Sequence, residues 1–417
     1  MNSVTTFRVN NFLHDYEHEP EDYGVLLSFF QDSERNGSEY RSTLKAIRDR
    51  LDLMGFNRES VKEAFDTGVR EWKKALANEN SSDIFFQQNE ARDEIKAVLE
   101  VIQIDDWVIA FSQALRQNIE SSSYSELKDK DYSPRLKYVV AEYNPVDRAG
   151  FPDTDFRIFM RAIAEISDFD VEVVLDVSSL LKDERFDSEE YLCERMRNES
   201  AEDYIQNQRI IVLTEGKTDA DYLKRSLKIL YPHLEDYFAF MEFENSKAEK
   251  DAGTLVRMVK SFIAVGIVNR IVAIFDNDIA AWDARKGLKG VELPSNVRVI
   301  NYPDLAFAKN YPTIEEGSVN WMDVNGRAGA IEIYFGNDVL KDAQGNLTPI
   351  VWGKGTERGE RQGKLQGKGN LQKKFEDKLK RALANPPSVE TDDWSGMKAI
   401  LDALRNAFNE ETPQNDS

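Results

Sequence analysis

The chain has 417 residues, with 54 Lys and Arg against 75 Asp and Glu, so its formal net charge is −21. The length excludes a small disulfide-stapled domain, and the negative charge excludes a generally basic nucleic-acid binder. With 41% hydrophobic and 31% charged residues, the composition is typical of a folded chain of two or three domains.

The only cysteine is Cys193, so the chain can form neither an internal disulfide nor a cysteine-based zinc site. Its acidic, amphipathic surroundings predict that it packs within a helix. The N-terminus has no basic start followed by a long apolar stretch, and no apolar run reaches the roughly 18 residues of a membrane span. We therefore expect a cytoplasmic protein that does not cross a membrane.

Residues 1–200 are predicted to form a mainly helical domain with some strands. From about Glu39 to Ser123 apolar residues recur at helical spacing, and the polar stretch 78–83 (NENSSD) breaks the pattern. Residues 135–143 (RLKYVVAEY) are rich in Val and Tyr, which predicts a strand.

After Asn207 short apolar runs alternate with amphipathic helical segments. This β-α-β pattern predicts an α/β domain with a parallel sheet and helices on both faces. Ligands of such sheets bind at the carboxyl ends of the strands. The predicted strands are RIIVLTE (209–215), YFAFMEF (237–243), RIVAIFD (270–276) and NVRVINY (296–302).

The C-terminal part, residues 341–417, contains a basic segment from Gly353 to Arg381. This segment holds ten Lys or Arg and four Asp or Glu, a local charge of +6 in an acidic chain. Pro386 and Pro387 separate it from a final predicted helix, SGMKAILDALRNAF (395–408).

The first strand of the series runs into Thr214-Glu215-Gly216-Lys217-Thr218-Asp219. A nucleotide-binding phosphate loop would need a glycine five residues before Gly216, where Ile211 stands, so that motif is excluded. What remains is a carboxylate, Glu215, at a strand end, with Lys217 near a helix N-terminus, where phosphate binds favourably.

The third strand ends in Asp276-Asn277-Asp278. Residues two apart in an extended segment face the same way, so both carboxylates can reach one ion. Oxygen ligands favour Mg²⁺ or Mn²⁺ over zinc, and the chain has only three histidines. The alternative is structural: Glu215 would cap the following helix, and Asp276 and Asp278 would form a polar turn.

A strand ending in Glu-Gly with Lys217 and Asp219 close behind, and a later strand ending in Asp-x-Asp, resemble the Toprim domain over roughly residues 207–340. The resemblance implies a metal-dependent nuclease in which Glu215 is a metal ligand or acid/base and Asp276 and Asp278 are metal ligands. It extends to the overcoming-lysogenization-defect nucleases.

The whole chain is similar to bacterial HEPN/Toprim-associated proteins, an impression carried by GIVNRIVAIFDNDIAAWDA, NGRAGAIEIYFG and KLQGKGNLQKKFEDKL. That resemblance implies a role in anti-phage defence. Arg8 and His14 have the Arg–His spacing of HEPN ribonucleases, but their segment lacks helical periodicity. No tyrosine nucleophile in a strand-passage domain and no template-binding module is evident, which argues against a topoisomerase or a primase.

Two further carboxylates are weighed as metal ligands against plain solvent exposure: Glu332 and Asp283. Lys217 is expected to neutralise phosphate oxygens. The basic segment, with Trp352 beside it, is expected either to hold a nucleic-acid backbone or to be a solvated helix. Its candidate contacts are Lys364, Lys368, Lys373 and Lys374.

The sequence thus predicts a Mg²⁺- or Mn²⁺-dependent nuclease acting on DNA or RNA, with a homo-oligomer or a defence-system protein as a possible partner. A non-catalytic sensor or assembly protein with a Toprim-like fold is the alternative, and the charge of −21 favours it because it repels nucleic acid at a distance.

Overall fold

The computed structural model describes residues 3–9, 12–18, 23–77, 92–141, 149–152, 155–166, 171–178, 181, 191–200, 208–241, 251–315, 317–355 and 361–409. The chain divides into two compact units, Met1–Asn207 and Gln208–Ser417. The predicted break at 78–83 lies outside the described residues. No helix in the described ranges is both long and apolar enough to cross a bilayer.

The first unit contains an antiparallel sheet in the strand order β2-β1-β5-β4-β3. Arg8 and His14 lie on its first two strands, where His14 pairs with Phe7 and Arg8 pairs with Leu13. The strands are β1 Ser3–Val9, β2 Phe12–His18, β3 Arg35–Asn36, β4 Glu39–Thr43 and β5 Glu172–Asp176.

Helices make up most of the rest of this unit. Trp107 is fully buried among aromatic rings, and its indole N–H donates to the Ala149 carbonyl at 2.8 Å. Cys193 is buried within a helix, as expected. The helices are α1 Tyr23–Leu27, α2 Leu44–Leu53, α3 Arg58–Ala77, α4 Arg92–Leu99, α5 Ile104–Arg116, α6 Tyr124–Leu127, α7 Pro134–Val140, α8 Phe156–Ile163 and α9 Leu192–Ser200.

The strand predicted at 135–143 is wrong, because Pro134–Val140 is a helix. Ser133 caps it by accepting a hydrogen bond from the Leu136 N–H at 3.3 Å, and Pro134 takes the first helical position, where no N–H is needed. The capping signal therefore outweighs the strand preference of Val and Tyr, which are buried on the helix. Likewise, Glu39–Thr43 begins the predicted helical region as a strand.

The second unit is built on a parallel sheet in the order β10-β8-β6-β7. The four strands lie within the predicted apolar runs. In β8 every side chain is buried, which explains why its run is apolar at every position. The strands are β6 Ile210–Leu213, β7 Phe238–Phe240, β8 Ile271–Phe275 and β10 Val297–Asn301.

Helices cover this sheet as an α/β architecture requires. α11 (Ala252–Val265) and α12 (Ile279–Arg285) form one core with residues of β6 and β8. The connections through α11 and α12 run across the sheet toward β10, whereas α10 (Lys217–Leu230) connects β6 to β7 in the opposite direction. Because such crossovers are right-handed, α10 lies on the other face of the sheet.

A second, mixed sheet follows in the order β12-β11-β14-β15. Two further helices, α14 (Lys368–Ala384) and α15 (Ser395–Asn406), pack against α10 within the same unit. The remaining elements are β9 Asn277–Asp278, β11 Tyr311–Glu315, β12 Ser318–Met322, β13 Ala328–Gly329, β14 Ile350–Gly355, β15 Arg361–Leu365, α13 Asn337–Leu340, α14 Lys368–Ala384 and α15 Ser395–Asn406.

Candidate functional site

The candidate site lies at the switch point of the parallel sheet. β6 leads to β7 on one side, whereas its neighbour β8 leads to β10 on the other. A crevice forms where adjacent strands send their connections in opposite directions, and ligands of open α/β sheets bind there. Glu215 follows β6 and Asp276 follows β8, so both carboxylates stand at this point.

Glu215 and Asp276 are in direct contact. The Asp276 backbone N–H donates to Glu215 Oε1 at 2.9 Å. The pKa of Glu215 is raised to about 7, chiefly by burial: that N–H opposes the rise, and the nearby charges of Asp278 and Asp219 add to it. Glu215 is therefore held beside the end of β8 and does not cap the helix that follows it.

Asp276 lies at the centre of the site. Burial raises its pKa well above the usual range, and the charges of Glu215, Asp219, Asp278 and Glu332 raise it further. Its Oδ1 atom is buried and accepts no hydrogen bond. An ionised carboxylate in this position needs a cation or a proton to offset its desolvation.

Asp278 has a structural role. Its Oδ1 accepts from the Ala281 N–H at 2.9 Å and caps α12. Gln362 of β15 donates to the other oxygen, Oδ2, and accepts from the Ala280 N–H at 3.1 Å. The structural alternative for Asp278, a polar turn between strand and helix, therefore accounts for one of its two carboxylate oxygens, the one that caps α12.

Asp219 joins the cluster from the first turn of α10. Its pKa is raised to about 6, chiefly by burial and also by the charge of Glu332, while Lys368 and the Gly216 N–H oppose the rise. Asp219 stands in the sequence motif, but the pattern alone predicts no role for it. The signal for such a role is its position in the first turn of the helix that follows Glu215.

Glu332 is brought to the site by a close backbone approach. β13 pairs antiparallel with β9, with Gly329 opposite Asn277. A Cβ atom at Gly329 would lie 2.5 Å from the Asn277 carbonyl oxygen, so only glycine fits. Glu332 follows in a 3₁₀ turn at Ile331–Tyr334 and is only 1% exposed, so plain solvent exposure is wrong for this residue.

The Glu332 carboxylate is paired. Lys368 Nζ lies 2.9 Å from its Oε1, and Gln372 Nε2 donates to the same oxygen at 2.8 Å. Lys368, predicted to contact nucleic acid, therefore lies at the carboxylate cluster. We use the name carboxylate cluster for Glu215, Asp219, Asp276, Asp278 and Glu332.

Across the described ranges, no three His, Cys, Asp or Glu side chains are arranged so that together they could hold a metal ion. The cluster nevertheless has one buried oxygen without a hydrogen-bond partner, Asp276 Oδ1, and carboxylate oxygens are the ligands that hard cations prefer.

The other predicted site residues lie at separate positions. Lys217 is exposed at the start of α10. Asp283 is half exposed and forms an ion pair with Lys286, the residue that follows the end of α12. In the basic segment, Lys364 and Lys373 are exposed, whereas Lys374 Nζ donates to the carbonyls of Val339 and Lys341 at 3.3 and 2.9 Å.

The first unit resembles a known family. Residues 7–208 match the family model HEPN/Toprim N-terminal domain 1. This match supports a relationship between the chain and the HEPN/Toprim-associated family. No curated protein and no solved structure matches the chain. The carboxylate cluster lies beyond the matched residues, in the second unit.

Proposed function

We propose that this HEPN/Toprim-associated chain is a metal-dependent nuclease that hydrolyses phosphodiester bonds in DNA or RNA. The observation that carries the proposal is the meeting of carboxylates around Asp276 at the switch point of a parallel sheet. Charges of one sign are gathered there at a cost to folding, which is typical of sites that bind a cation and a phosphate.

Mg²⁺ or Mn²⁺ fits the donors of the carboxylate cluster. Mg²⁺ is commonly held through one or two carboxylates, with water completing its coordination. Asp276 Oδ1 and Glu215 are the residues that would hold it, with Asp219 and Glu332 nearby. When bound, such an ion polarises a phosphate and lowers the pKa of a coordinated water.

The protein side chains would divide the remaining tasks. In the metal-free site Glu215, with its pKa raised to about 7, can hold a proton near neutral pH, and a bound cation would displace that proton. Asp278 and Gln362 together fix the start of α12 beside Asp276. Lys217, exposed at the start of α10, supplies positive charge for the phosphate oxygens.

The test is cleavage of labelled single- and double-stranded DNA and RNA with Mg²⁺, Mn²⁺ or excess chelator. We expect cleavage only with metal, and a loss of turnover of at least about a hundredfold in Glu215→Gln and in Asp276→Asn. Glu292→Gln, at an exposed position outside the carboxylate cluster, is the matched control. Full cleavage in chelator, or by both cluster variants, refutes the proposal.

The exposed lysines of the basic segment are proposed to hold the nucleic-acid backbone. Lys364→Gln with Lys373→Gln should flatten the plot of log affinity against log salt for duplex DNA by nearly two units, because each lost phosphate contact removes about 0.9. The pair Lys368→Gln and Lys374→Gln should leave the slope nearly unchanged, since these side chains bind protein groups. An unchanged slope in the first pair would show that the segment is a solvated surface.

We also propose anti-phage defence as the setting, supported by the match of residues 7–208 to a family associated with HEPN and Toprim domains. The second candidate is a non-catalytic sensor. The observations that favour it are the capping role of Asp278 and the ion pair between Glu332 and Lys368, because both occupy carboxylates without a ligand. Nucleic-acid binding without cleavage under any metal would support the sensor.

A further inference from the structure

The exposed face of the second sheet of the C-terminal unit combines apolar, aromatic and basic side chains. One transverse row runs from Val319 on β12 through Ile314 on β11 and Val351 on β14 to Lys364 on β15, because these residues are paired across the strands. Val319 is 60% exposed and Val351 is 39% exposed. The row spans three strand spacings, roughly 14 Å.

Trp321 extends this face at the edge of the sheet. It lies two residues after Val319, so it faces the same way, and it is 59% exposed. An exposed indole on an edge strand offers a flat surface on which a base can stack.

The same face leads to the carboxylate cluster. Gln362 lies two residues before Lys364 on β15 and contacts Asp278 and the Ala280 N–H. The described strand residues on this face include no Asp or Glu, although the chain carries −21 overall. The face therefore carries a basic residue, Lys364, and an exposed ring, Trp321, and its strand β15 contacts the carboxylate cluster through Gln362.

We propose that this face, defined by Trp321, Val319, Ile314, Val351 and Lys364, binds single-stranded nucleic acid and leads it to the carboxylate cluster. Trp321 stacks on an unpaired base, and Lys364 contacts the backbone. The inference rests on the proposed function and names the strand form of its substrate. A duplex fits less well, because its bases are already stacked on each other and offer no free face to the indole.

The experiment measures binding of a fluorescein-labelled oligo(dT) of about 20 nucleotides to the full chain in excess chelator, so that no cleavage occurs. Trp321→Ala should weaken binding by about 5- to 150-fold, whereas Trp321→Phe should weaken it by less than about fivefold because a ring remains. Lys364→Gln should flatten the salt dependence by about 0.7 units. Tyr191→Ala removes another exposed aromatic residue, in the first unit, and should change nothing.

A duplex of the same length should respond to Trp321→Ala by less than about threefold, since stacking contributes little there. Circular dichroism checks that each variant folds. The proposal is overturned if the unaltered chain does not bind the oligonucleotide, or if Trp321→Ala binds it normally. It is also overturned if sedimentation shows that Trp321→Ala only converts a dimer to a monomer, which would identify β12 as a contact between two copies.

Cleavage assays with metal separate this inference from the proposed function. Strand binding that depends on Trp321, without any cleavage, would refute the nuclease and leave the face as a binding surface. Cleavage by the unaltered chain, with binding and rate unchanged in Trp321→Ala, would leave the nuclease and refute the face.

Discussion

Two carboxylates carry much of the electrostatic strain at the candidate site. Glu215 and Asp276 lie partly buried beside each other, and burial together with the charges of their neighbours raises both pKa values. Without a cation, ionising them opposes folding. Without a bound cation, the ionised carboxylates therefore lower the free energy of unfolding.

This strain predicts how stability depends on pH in metal-free protein. The pKa of Glu215 rises from an ordinary 4.5 to about 7 on folding, so the folded state binds its proton more tightly than the unfolded state. The tighter proton binding of Glu215 contributes fully to the free energy of unfolding below about pH 4.5, and this contribution is lost as pH rises through about 7. We expect the melting temperature in chelator to fall across this range.

Glu215→Gln should reduce that dependence and raise the free energy of unfolding at pH 8 by roughly 1–3 kcal/mol. The exposed control Glu292→Gln should not. Urea unfolding at several pH values measures both. A metal-free protein that gains stability between pH 5 and 7 through Glu215 would contradict the expected sign.

Asp278 allows its structural and chemical roles to be separated. Asn can still cap α12, so Asp278→Asn should melt within about 2 °C of the unaltered chain, whereas Asp278→Ala should lose about 1 kcal/mol of stability. If the charge of Asp278 also serves the reaction, both variants lose turnover by at least about a hundredfold. Normal cleavage by Asp278→Asn would assign this residue to the cap alone.

Among the elements, the short pair β9 and β13 determines whether Glu332 reaches the site. The two strands pair antiparallel with Gly329 opposite Asn277, and no side chain fits at Gly329. Glu332, three residues later, is then buried, and it lies near enough to Asp276 and Asp219 for its charge to raise their pKa values. A two-residue strand pair therefore positions a carboxylate that lies far away along the chain.

Gly329→Ala should separate β13 from β9, because its Cβ would lie 2.5 Å from a carbonyl oxygen. We expect a loss of about 2–4 kcal/mol in stability and a marked loss of metal-dependent cleavage. Gly369→Ala in α14 is the matched control: no atom lies within 4 Å of the added Cβ, so stability should stay the same or rise by up to about 1 kcal/mol. Equal stability of the two variants would show that the β9–β13 contact is dispensable.

At the scale of the whole molecule, the C-terminal helices complete the second unit. The rings of Phe335 and Phe375 stack at a centroid distance of 4.0 Å. Lys378 is 1% exposed and donates to the Phe335 carbonyl, to Asp338 and to the Asp393 carbonyl at 2.8, 2.9 and 2.6 Å. Residues 341–417 thus share a core with residues before 341.

A fragment of residues 208–417 should unfold in one cooperative transition, since it contains a complete compact unit. A fragment of residues 207–340 should lack that transition and expose the ring of Phe335, because it loses Phe375 and Lys378. Near-ultraviolet circular dichroism in urea distinguishes the two. Cooperative unfolding of the shorter fragment at the same midpoint would show that residues 207–340 are a domain by themselves.

Much of the second unit follows from local patterns in the sequence. The apolar runs before Glu215 and Asp276 predict buried strands, because a strand covered on both faces needs apolar residues at every position. The alternation with helices predicts parallel strands, and the carboxyl ends of such strands converge. The meeting of Glu215 and Asp276 could therefore be derived without a structure.

Only the tertiary structure shows the features that depend on contacts between residues distant in the chain. Asp278 is held by Gln362 and Glu332 is paired with Lys368, and neither pairing leaves a local signal in the sequence. The burial of Glu332 depends on a glycine that permits two backbones to pair closely. The helix at Pro134–Val140 depends on capping and packing that outweigh intrinsic strand preference. Local propensity and periodicity specify elements and strand ends, whereas packing between elements specifies which charges meet and which of them are neutralised.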